Sequence, residues 1–518
     1  MKNHAETVTI SKVEYESLKA ENAELTKKVN WLMEQFKLAQ HRRFGASSEK
    51  SAYDQMSLFN EAEATADANV SEPELIEIER HYRKRKREAS DRLPDNLPVE
   101  IVEHDLPLED QVCPECGDGL HVMGREIRRE LVIIPAQAKI REHVRKVYAC
   151  RACEKDACGV PIIKAPIDEP VIKGSFASPE AIAHIMCQKF VMSSPLYRQE
   201  AEWNRNGIML SRQTMSNWLI RATEDWLEPI YCALREIICS HTVLHADETT
   251  LQVLREPGKT AQSKSYMWLY RTSGDTKHPI VLYEYQPDRR AKRPAEFLKG
   301  FKGYLHTDGY EGYHSLPDDV IIVGCWSHVR RKFDEALKVL SEKDRTDSNA
   351  ARGKRYCDKL FDLERSFADM TLDERLQKRQ ELSKPVMDEF YAWLTNLNVI
   401  PKTPIGVAAN YALKQRKYLE RYVLDGRLEI SNNRAERSIK PFVIGRKNFL
   451  FANTPRGAKA SAVMFSIIET AKENGLNPFA YLTYVFQNAP NWNIHDNLDA
   501  LERLLPHSAP DALKIPSH

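Results

Sequence analysis

Thr242-Val-Leu-His-Ala-Asp247-Glu248-Thr-Thr-Leu-Gln-Val-Leu254 is the stretch that decides the fold. Its β-branched and apolar residues predict a strand, and from this point the chain changes from helical to α/β patterning. A side-chain period of two puts Asp247 on one face with His245, while Glu248 points to the opposite face. Two acids in the middle of a strand are costly unless they have a function. The segment therefore indicates a sheet whose first strand carries a carboxylate site.

The following 90 residues predict the rest of this sheet. The expected elements are strands at Ser265–Arg271 and His278–Tyr285, a helix near Ala295–Leu298, strands at Gly303–Asp308 and Val320–Gly324, and a helix at Ser327–Leu340. Three antiparallel strands followed by helix, strand, helix, strand and helix is the order of a ribonuclease-H-like core. In that fold the middle of the first strand lies beside the end of the fourth, so we expect Asp247 and Asp308 to be neighbours.

Neighbouring carboxylates predict a metal site. Two Mg²⁺ or Mn²⁺ ions about 3.5–4 Å apart need one bridging carboxylate and flanking ones, and hard oxygen ligands suit these ions. A third carboxylate is expected from a later helix. Residues 335–428 predict an all-helical insertion, after which Ile430–Pro441 contains Glu436. The alternative is that Glu436 only closes a capping box with Asn433, three residues before it.

The N-terminal part predicts an oligomerisation helix and a linker. Leu18, Leu25, Leu32 and Ala39 recur every seven residues with Asn22 in the same seam, which favours a coiled coil over residues 10–45 and a homo-oligomer. An amphipathic helix packed on its own protein is the alternative. Residues 46–99 predict a linker with a basic run that either contacts DNA phosphates or is simply solvated. The run consists of Arg83, Lys84, Arg85, Lys86 and Arg87.

Four of the ten cysteines form two tight pairs. They are Cys113, Cys116, Cys150 and Cys153. Ten cysteines are too few for a disulfide scaffold, but two such thiolate pairs can complete one closed, structural Zn²⁺ site in a zinc-binding domain over residues 100–165. The 33 residues between the pairs exceed the usual spacing, and Cys158 is an alternative ligand. Short strands are expected at Arg128–Ile134 and Ala138–Tyr148.

Residues 170–230 predict a helical DNA-binding region. Ser178-Pro179-Glu180 is typical of a helix start. A helix at Leu196–Asn206, a turn at Gly207 and a helix opened by Ser211 make a helix-turn-helix pattern. Such helix pairs also occur in ordinary cores. The first turn of the last helix has side chains that suit phosphate and base-edge contacts, namely Arg212, Gln213 and Thr214.

Taken together, the sequence closely resembles the transposases of the insertion-sequence-66 family. The resemblance lies in Arg43–Lys50, the cysteine pairs, His245–Thr249, His306–Tyr310, Cys325–His328, Asn432–Arg437 and Asn474–Leu482, in order over nearly the whole chain. It implies a DDE transposase of a bacterial insertion sequence, with Asp247, Asp308 and Glu436 as the acidic triad.

The resemblance also implies the reaction and the partners. The reaction would be two-metal cleavage and strand transfer at terminal inverted repeats and target DNA, without a covalent protein–DNA intermediate. Two small accessory proteins of the same element are further expected partners. Cys325-x-x-His328 resembles a signature of DDE transposases with helical insertions, in which the histidine lies near the scissile phosphate. An ordinary core cysteine with a histidine at a helix start is the alternative.

The charge is segregated along the chain. Lys and Arg number 75 against 74 Asp and Glu, a net charge of +1, yet residues 414–459 carry twelve basic residues against four acidic ones. A metal site facing DNA phosphates fits such a basic stretch. The basic residues expected at DNA here and beside His328 are Arg330, Arg331, Arg434, Arg437, Lys440, Arg446 and Lys447.

No apolar run approaches the roughly 18 residues that span a bilayer, and the first residues are too polar for a signal peptide. We therefore expect a cytoplasmic, nucleoid-associated protein without a membrane partner. The predicted class is α/β, with core parts at 240–334 and 429–455 around the insertion and a C-terminal helical segment at 456–518. A non-catalytic, domesticated DNA-binding regulator is the main alternative function, and a nuclease acting on RNA hybrids or junctions is a third.

Overall fold

The computed structural model describes residues 138–149 and 162–515, Ile76–Glu77, Ile127–Arg128 and nine residues between 11 and 22. The predicted coiled-coil seam from Leu25 onward, the basic run 83–87 and all four paired cysteines lie outside the described residues. The chain divides into two compact units. One is Ala46–Ala165, and the other combines Met1–Gly45 with Pro166–His518.

The described parts of the smaller unit are short antiparallel pairs. Ile76–Glu77 pairs with Ile127–Arg128, and Val147–Ala149 pairs with the strand that begins at Ile162 and ends at Lys164. The strand predicted over Ala138–Tyr148 is therefore wrong for its first nine residues. Residues 138–146 are exposed and have no partner strand within the described part of the chain, so alternating sequence alone does not make them a strand.

The larger unit begins with helices and continues into a five-stranded sheet. Its helices before the sheet are α1 Pro179–Phe190, α2 Leu196–Arg205, α3 Arg212–Ala222 and α4 Glu228–Cys239. The sheet consists of β1 Val243–Gln252, β2 Lys264–Thr272, β3 Val281–Gln286, β4 Gly303–His306 and β5 Val320–Val323, with α5 Lys292–Phe297 between β3 and β4. As predicted, Ser178 caps α1 and Ser211 caps α3 through their side chains.

The sheet is mixed, in the strand order β3-β2-β1-β4-β5. The first three strands pair antiparallel, while β1–β4 and β4–β5 pair parallel. The apolar run at Val320 is indeed a parallel strand. A parallel sheet edge needs cover on both faces, and the helices that follow β5 provide part of it.

The chain after β5 is helical throughout its described part. The helices are α6 Trp326–Lys338, α7 Glu342–Arg345, α8 Asn349–Ser366, α9 Leu372–Lys378, α10 Lys384–Thr395, α11 Pro404–Leu419, α12 Asn433–Phe449, α13 Pro455–Glu473, α14 Pro478–Asn488 and α15 Leu498–Arg503. The helical character predicted for 335–428 is confirmed, although its limits as a domain remain a prediction. None of the described helices is long and apolar enough to cross a membrane.

Two hydrophobic cores hold this unit together. The larger core joins α1–α4, the sheet and α12–α14, while the smaller one packs Trp326 at the start of α6 against Phe390 and Tyr422 of the insertion. The fully buried Arg379 is central to the second core. Its guanidinium donates to both carboxylate oxygens of Glu364 and to three backbone carbonyls, including that of Leu428 just before α12. The insertion is therefore tied to the segment that leads into the Glu436 helix.

Candidate active site

Asp247 lies in the middle of β1, and Asp308 follows the end of the neighbouring parallel strand β4. His245 on β1 pairs in register with His306 on β4, and each acid follows its histidine by two residues. Burial is the main reason why the pKa of Asp247 is well above its usual value, and repulsion from Glu248 and Asp308 adds to it. Asp308 keeps its orientation by accepting a 2.9 Å hydrogen bond from the Tyr310 amide.

Glu436 comes from the first turn of α12 and lies near this pair. Its charge further raises the pKa of Asp247, after the larger contributions. The capping-box alternative is wrong, because α12 begins one residue earlier than that motif requires. Its N-cap is Asn432, and no side chain caps the helix. Glu436 is instead oriented by Arg331, whose guanidinium donates to Oε2 over 3.3 Å.

The buried Asn432 side chain connects the elements that carry the acids. Its Nδ2 donates to the Ala246 carbonyl over 2.8 Å, and its Oδ1 lies 3.0 Å from His245 Nδ1. Its backbone amide donates to Cys325 Sγ over 3.1 Å. One residue thus links β1 beside Asp247, the start of α6 and the start of α12.

His245 and His306 form a buried stack beneath the carboxylates. Their rings are 4.4 Å apart and nearly parallel. Burial lowers the pKa of His245 to about 3 and that of His306 well below its usual value. Both rings are therefore neutral at physiological pH, and His306 Nε2 accepts the Glu429 amide over 3.3 Å. The pair acts as uncharged support for the site.

Glu248 points away from Asp247, as the strand period predicts, and has its own partners. Its carboxylate accepts from the Arg289 guanidinium and, over 2.6 Å, from the Tyr313 hydroxyl. Arg289 also lies 3.8 Å from Asp308 Oδ2 and over the ring of Tyr310. Arg289 therefore places a positive charge beside the cluster of acids, which partly offsets their mutual repulsion.

The helical insertion touches the turn after Asp308 directly. The Tyr411 hydroxyl on α11 donates to the Asp308 carbonyl over 2.9 Å. Gly309 has a φ of 93°, a conformation that side-chain-bearing residues rarely adopt, and a Cβ there would come 3.0 Å from the Tyr411 oxygen. The turn after Asp308 thus depends on glycine and on close packing by the insertion.

The donor chemistry of the acids fits hard divalent cations. The charges of Glu248, Asp308 and Glu436 all raise the pKa of Asp247. A hard divalent cation, which prefers oxygen ligands, would relieve this repulsion. A second donor group overlaps the first. Within the described residues, Cys325, His328 and Glu436 each offer one ligand atom, and these atoms lie within 4.8 Å of one another. The structure thus brings His328 close to Glu436.

The predicted DNA-contacting residues fall into two sets. Arg330, Arg331, Arg434 and Arg446 contact protein groups, namely Asp358, Glu436, Glu429 and Thr249–Thr250 respectively. Arg437, Lys440 and Lys447 are exposed on the α12 surface beyond Glu436. Together the second set forms what we call the α12 basic face.

The predicted helix-turn-helix residues lie on a separate element. Gly207, with φ 76°, makes the turn between α2 and α3. Arg212 and Gln213 are exposed in the first turn of α3, and Thr214 bonds the capping hydroxyl of Ser211. The Arg212 backbone amide donates to Glu200 on α2 over 2.9 Å, which fixes the two helices together.

Sequence reasoning missed several residues of the site. Asn432, His306, Arg289 and Tyr411 were not among the predicted functional residues. Only the histidine had a local signal, since His-x-Asp occurs at both 245–247 and 306–308.

Family models match most of the chain. The model described as "Transposase IS66 family" matches residues 174–460, which is more than half of the sequence. The chain belongs to the IS66 transposase family. Three further models of this family match: the zinc-finger binding domain at 110–154, "Transposase C of IS166 homeodomain" at 31–102 and the IS66 C-terminal element at 466–507.

Curated relatives extend the similarity over most of the chain. Uncharacterized protein y4hP of Sinorhizobium fredii (strain NBRC 101917 / NGR234) is 32% identical over 422 residues, covering 77% of this chain and 74% of the relative. Uncharacterized protein y4jD of the same organism is 30% identical over 438 residues, covering 82% and 83%. The IS66 zinc-finger match includes the four paired cysteines and implies that this segment uses a metal. IS66 membership likewise implies DNA as a partner.

Proposed function

We propose that this IS66 family member is a DDE transposase that cuts and joins DNA at its element's terminal inverted repeats. The observation that supports the proposal is that Asp308, after the end of β4, and Glu436, on α12, both lie close enough to Asp247 on β1 for their charges to raise its pKa. The strand order, with three antiparallel strands followed by two parallel ones, supports a ribonuclease-H-like core around them.

Asp247, Asp308 and Glu436 would together hold two Mg²⁺ or Mn²⁺ ions through their carboxylate oxygens. When bound, such ions activate the attacking oxygen and stabilise the leaving oxygen in phosphodiester cleavage and transfer. Arg331 holds Oε2 of Glu436, and Tyr411 holds the backbone of Asp308. These contacts preorganise the carboxylates, which is where the protein contributes to catalysis.

His328 would lie beside the scissile phosphate. Burial lowers the pKa of His328, against an opposing effect of Glu436. The ring is therefore a neutral hydrogen-bonding group at physiological pH.

The basic residues would hold the DNA on either side of the cut. The α12 basic face continues from Glu436 along one helix and suits a phosphate backbone. Arg212, Gln213 and Thr214 on α3 would contact the terminal repeats together with the predicted basic run Arg83–Arg87, and the coiled coil would assemble a homo-oligomer. The element's two small accessory proteins, and a cytoplasmic location on the nucleoid, belong to the same proposal.

The test is cleavage of DNA that carries the inverted ends flanking the gene. Asp247→Asn, Asp308→Asn and Glu436→Gln should each abolish Mg²⁺-dependent cleavage while end binding in a mobility-shift assay is retained. Glu335→Gln is the matched control, since Glu335 is an exposed carboxylate on α6. Cleavage by any one triad variant would remove that residue from the site. Specific binding without cleavage by the wild type would favour a non-catalytic regulator.

A further inference from the structure

The junction of α6 and α12 contains three donor atoms of different kinds. Cys325 is the N-cap residue of α6, His328 lies in its first turn, and Glu436 lies in the first turn of α12. Cys325 Sγ, one ring nitrogen of His328 and one carboxylate oxygen of Glu436 lie within 4.8 Å of one another. The three side chains therefore point into one small space.

Two of these atoms have no hydrogen-bond partner. His328 Nδ1 and Glu436 Oε1 are shut off from solvent, and neither makes a hydrogen bond to any described residue. They face each other at 3.8 Å, which is too long for a hydrogen bond. Buried polar atoms normally have partners, so an unpaired imidazole nitrogen and an unpaired carboxylate oxygen facing one point indicate a bound group between them.

The donor set selects the kind of ion. Sulfur, nitrogen and oxygen together suit a borderline-soft cation such as Zn²⁺, whereas Mg²⁺ takes oxygen ligands. Zn²⁺ binds these atoms at about 2.0–2.3 Å, so tetrahedral donors lie roughly 3.3–3.8 Å apart. For a nitrogen–oxygen pair the expected separation is about 3.3–3.5 Å, and the 3.8 Å between His328 Nδ1 and Glu436 Oε1 is within a few tenths of an ångström of it. Small side-chain rotations would bring in the sulfur.

Neighbouring groups already support such a site. The Asn432 amide donates to Cys325 Sγ over 3.1 Å, a contact that favours a thiolate. Arg331 occupies Oε2 of Glu436 and leaves Oε1 available. Burial raises the pKa of the Cys325 thiol to about 11, against the opposing effect of three backbone amides. A metal ion would therefore displace a proton when it binds.

We propose that Cys325, His328 and Glu436 form a Zn²⁺ site that competes with the catalytic ions for Glu436. Three protein ligands leave the fourth position to water, as in zinc sites that exchange their ligands. Because Arg331 holds Oε2, Oε1 is the atom that either ion needs, and occupancy by Zn²⁺ excludes the catalytic arrangement. The inhibitory consequence rests on the proposed function, whereas the binding does not.

Binding is tested on the full-length chain by competition with a chromophoric zinc chelator. Cys325→Ser and His328→Asn should each bind one Zn²⁺ fewer per chain, or bind it more than about tenfold more weakly. Cys232→Ser is the control, because it removes an exposed thiol elsewhere. The predicted zinc-finger cysteines are the same in all variants. A difference between a variant and the wild type in the number of Zn²⁺ ions bound, or in their affinity, therefore reports on this site. A thiolate-to-Co²⁺ absorption band as intense per chain in Cys325→Ser as in the wild type, or zinc binding equal to that of the wild type in both variants, overturns the proposal.

Competition is tested by adding Zn²⁺ to the Mg²⁺-dependent cleavage reaction, with each variant compared to its own zinc-free rate. Zn²⁺ should inhibit the wild type, and added Mg²⁺ should relieve the inhibition. Cys325→Ser should need about tenfold more Zn²⁺ for the same inhibition. Full Mg²⁺-dependent cleavage with the zinc site occupied overturns the proposal that the two kinds of ion compete for Glu436. Absence of any Mg²⁺-dependent cleavage would count against the proposed function alone, since the zinc-binding difference would stand.

Discussion

At the residue scale, the metal-binding role proposed for Asp247 requires a buried negative charge that lowers the stability of the fold. A carboxyl group whose pKa is raised in the folded state favours folding less as the pH rises and it ionises. Asp247→Asn removes this charge from among the acids. We therefore expect the variant to unfold about 2 °C higher than the wild type in EDTA at pH 8, a gain of about 1 kcal/mol, with a smaller difference at acidic pH.

Mg²⁺ should change the melting temperature of the wild type but not that of the variant. Mg²⁺ should raise the melting temperature of the wild type and leave Asp247→Asn unchanged, because ligand binding stabilises only a chain that binds it. Asp318→Asn, which changes an exposed carboxyl, is the control. A melting temperature below that of the wild type in EDTA would show that Asp247 makes favourable contacts rather than suffering repulsion.

Asn432 and Asn433 are adjacent residues with different expected importance. Asn432→Ala leaves His245 Nδ1 and the Ala246 carbonyl unpaired in the interior. At about 1–3 kcal/mol for each of the two unsatisfied groups, the expected loss of unfolding free energy is about 2–6 kcal/mol. Asn433→Ala removes a partly exposed side chain and should cost less than about 0.5 kcal/mol. Urea denaturation of both variants measures the difference, and equal losses would contradict the linking role of Asn432.

At the element scale, the sequence was most informative where local rules decide the structure. The strand around Asp247, the parallel strand at Val320 and the helix starts at Ser178 and Ser211 were all predicted from periodicity or capping. Each depends on a few neighbouring residues. The capping box predicted for Asn433 and Glu436 was wrong because the helix begins at Asn433, which makes Asn432 the N-cap residue. The Asn432 side chain does not cap the helix but bonds His245, 187 positions away.

The unpredicted part of the site consists of contacts between distant segments. Arg289 meets Glu248 from 41 residues away, and Tyr411 meets Asp308 from 103 residues away. Neither residue belongs to a local motif, since its role depends on how the elements pack. Residues with a chemical signature, such as the acids, could be predicted. The residues that orient them could not.

The stacked histidines join β1 to β4 and make this pairing sensitive to pH. Because the pKa of His245 falls to about 3 when the chain folds, the unfolded state binds more protons between about pH 3 and 6.5. The contribution of His245 to the free energy of unfolding is therefore complete above about pH 6.5 and decreases as the pH falls. At pH 5 the loss from His245 alone is about 2 kcal/mol.

His245→Gln removes this titration while keeping a side chain that can bond Asn432. Between pH 7 and pH 5 its unfolding free energy should fall about 2 kcal/mol less than that of the wild type, measured by urea denaturation at each pH. His278→Gln, which changes an exposed histidine, should follow the wild type. Parallel curves for His245→Gln and the wild type would mean that His245 is not held neutral by burial.

At the scale of the whole molecule, the near-zero net charge hides an uneven distribution. Acidic groups occupy the buried site, and several arginines around it are bound to protein groups. The α12 basic face remains exposed on the helix that carries Glu436. If DNA lies along this face, the overall charge matters less for binding than the few cations that replace counterions on the phosphates.

The salt dependence of DNA binding tests this distribution. Each phosphate neutralised contributes about 0.9 to the slope of log affinity against log salt concentration. Arg437→Ala and Lys440→Ala should therefore each reduce the slope by about 1 and weaken binding to specific and nonspecific DNA alike. Arg365→Ala removes an exposed arginine of the insertion that pairs with Asp362 and should leave the slope unchanged. An equal reduction in all three variants would mean that binding reflects the summed charge of the molecule rather than a path along α12.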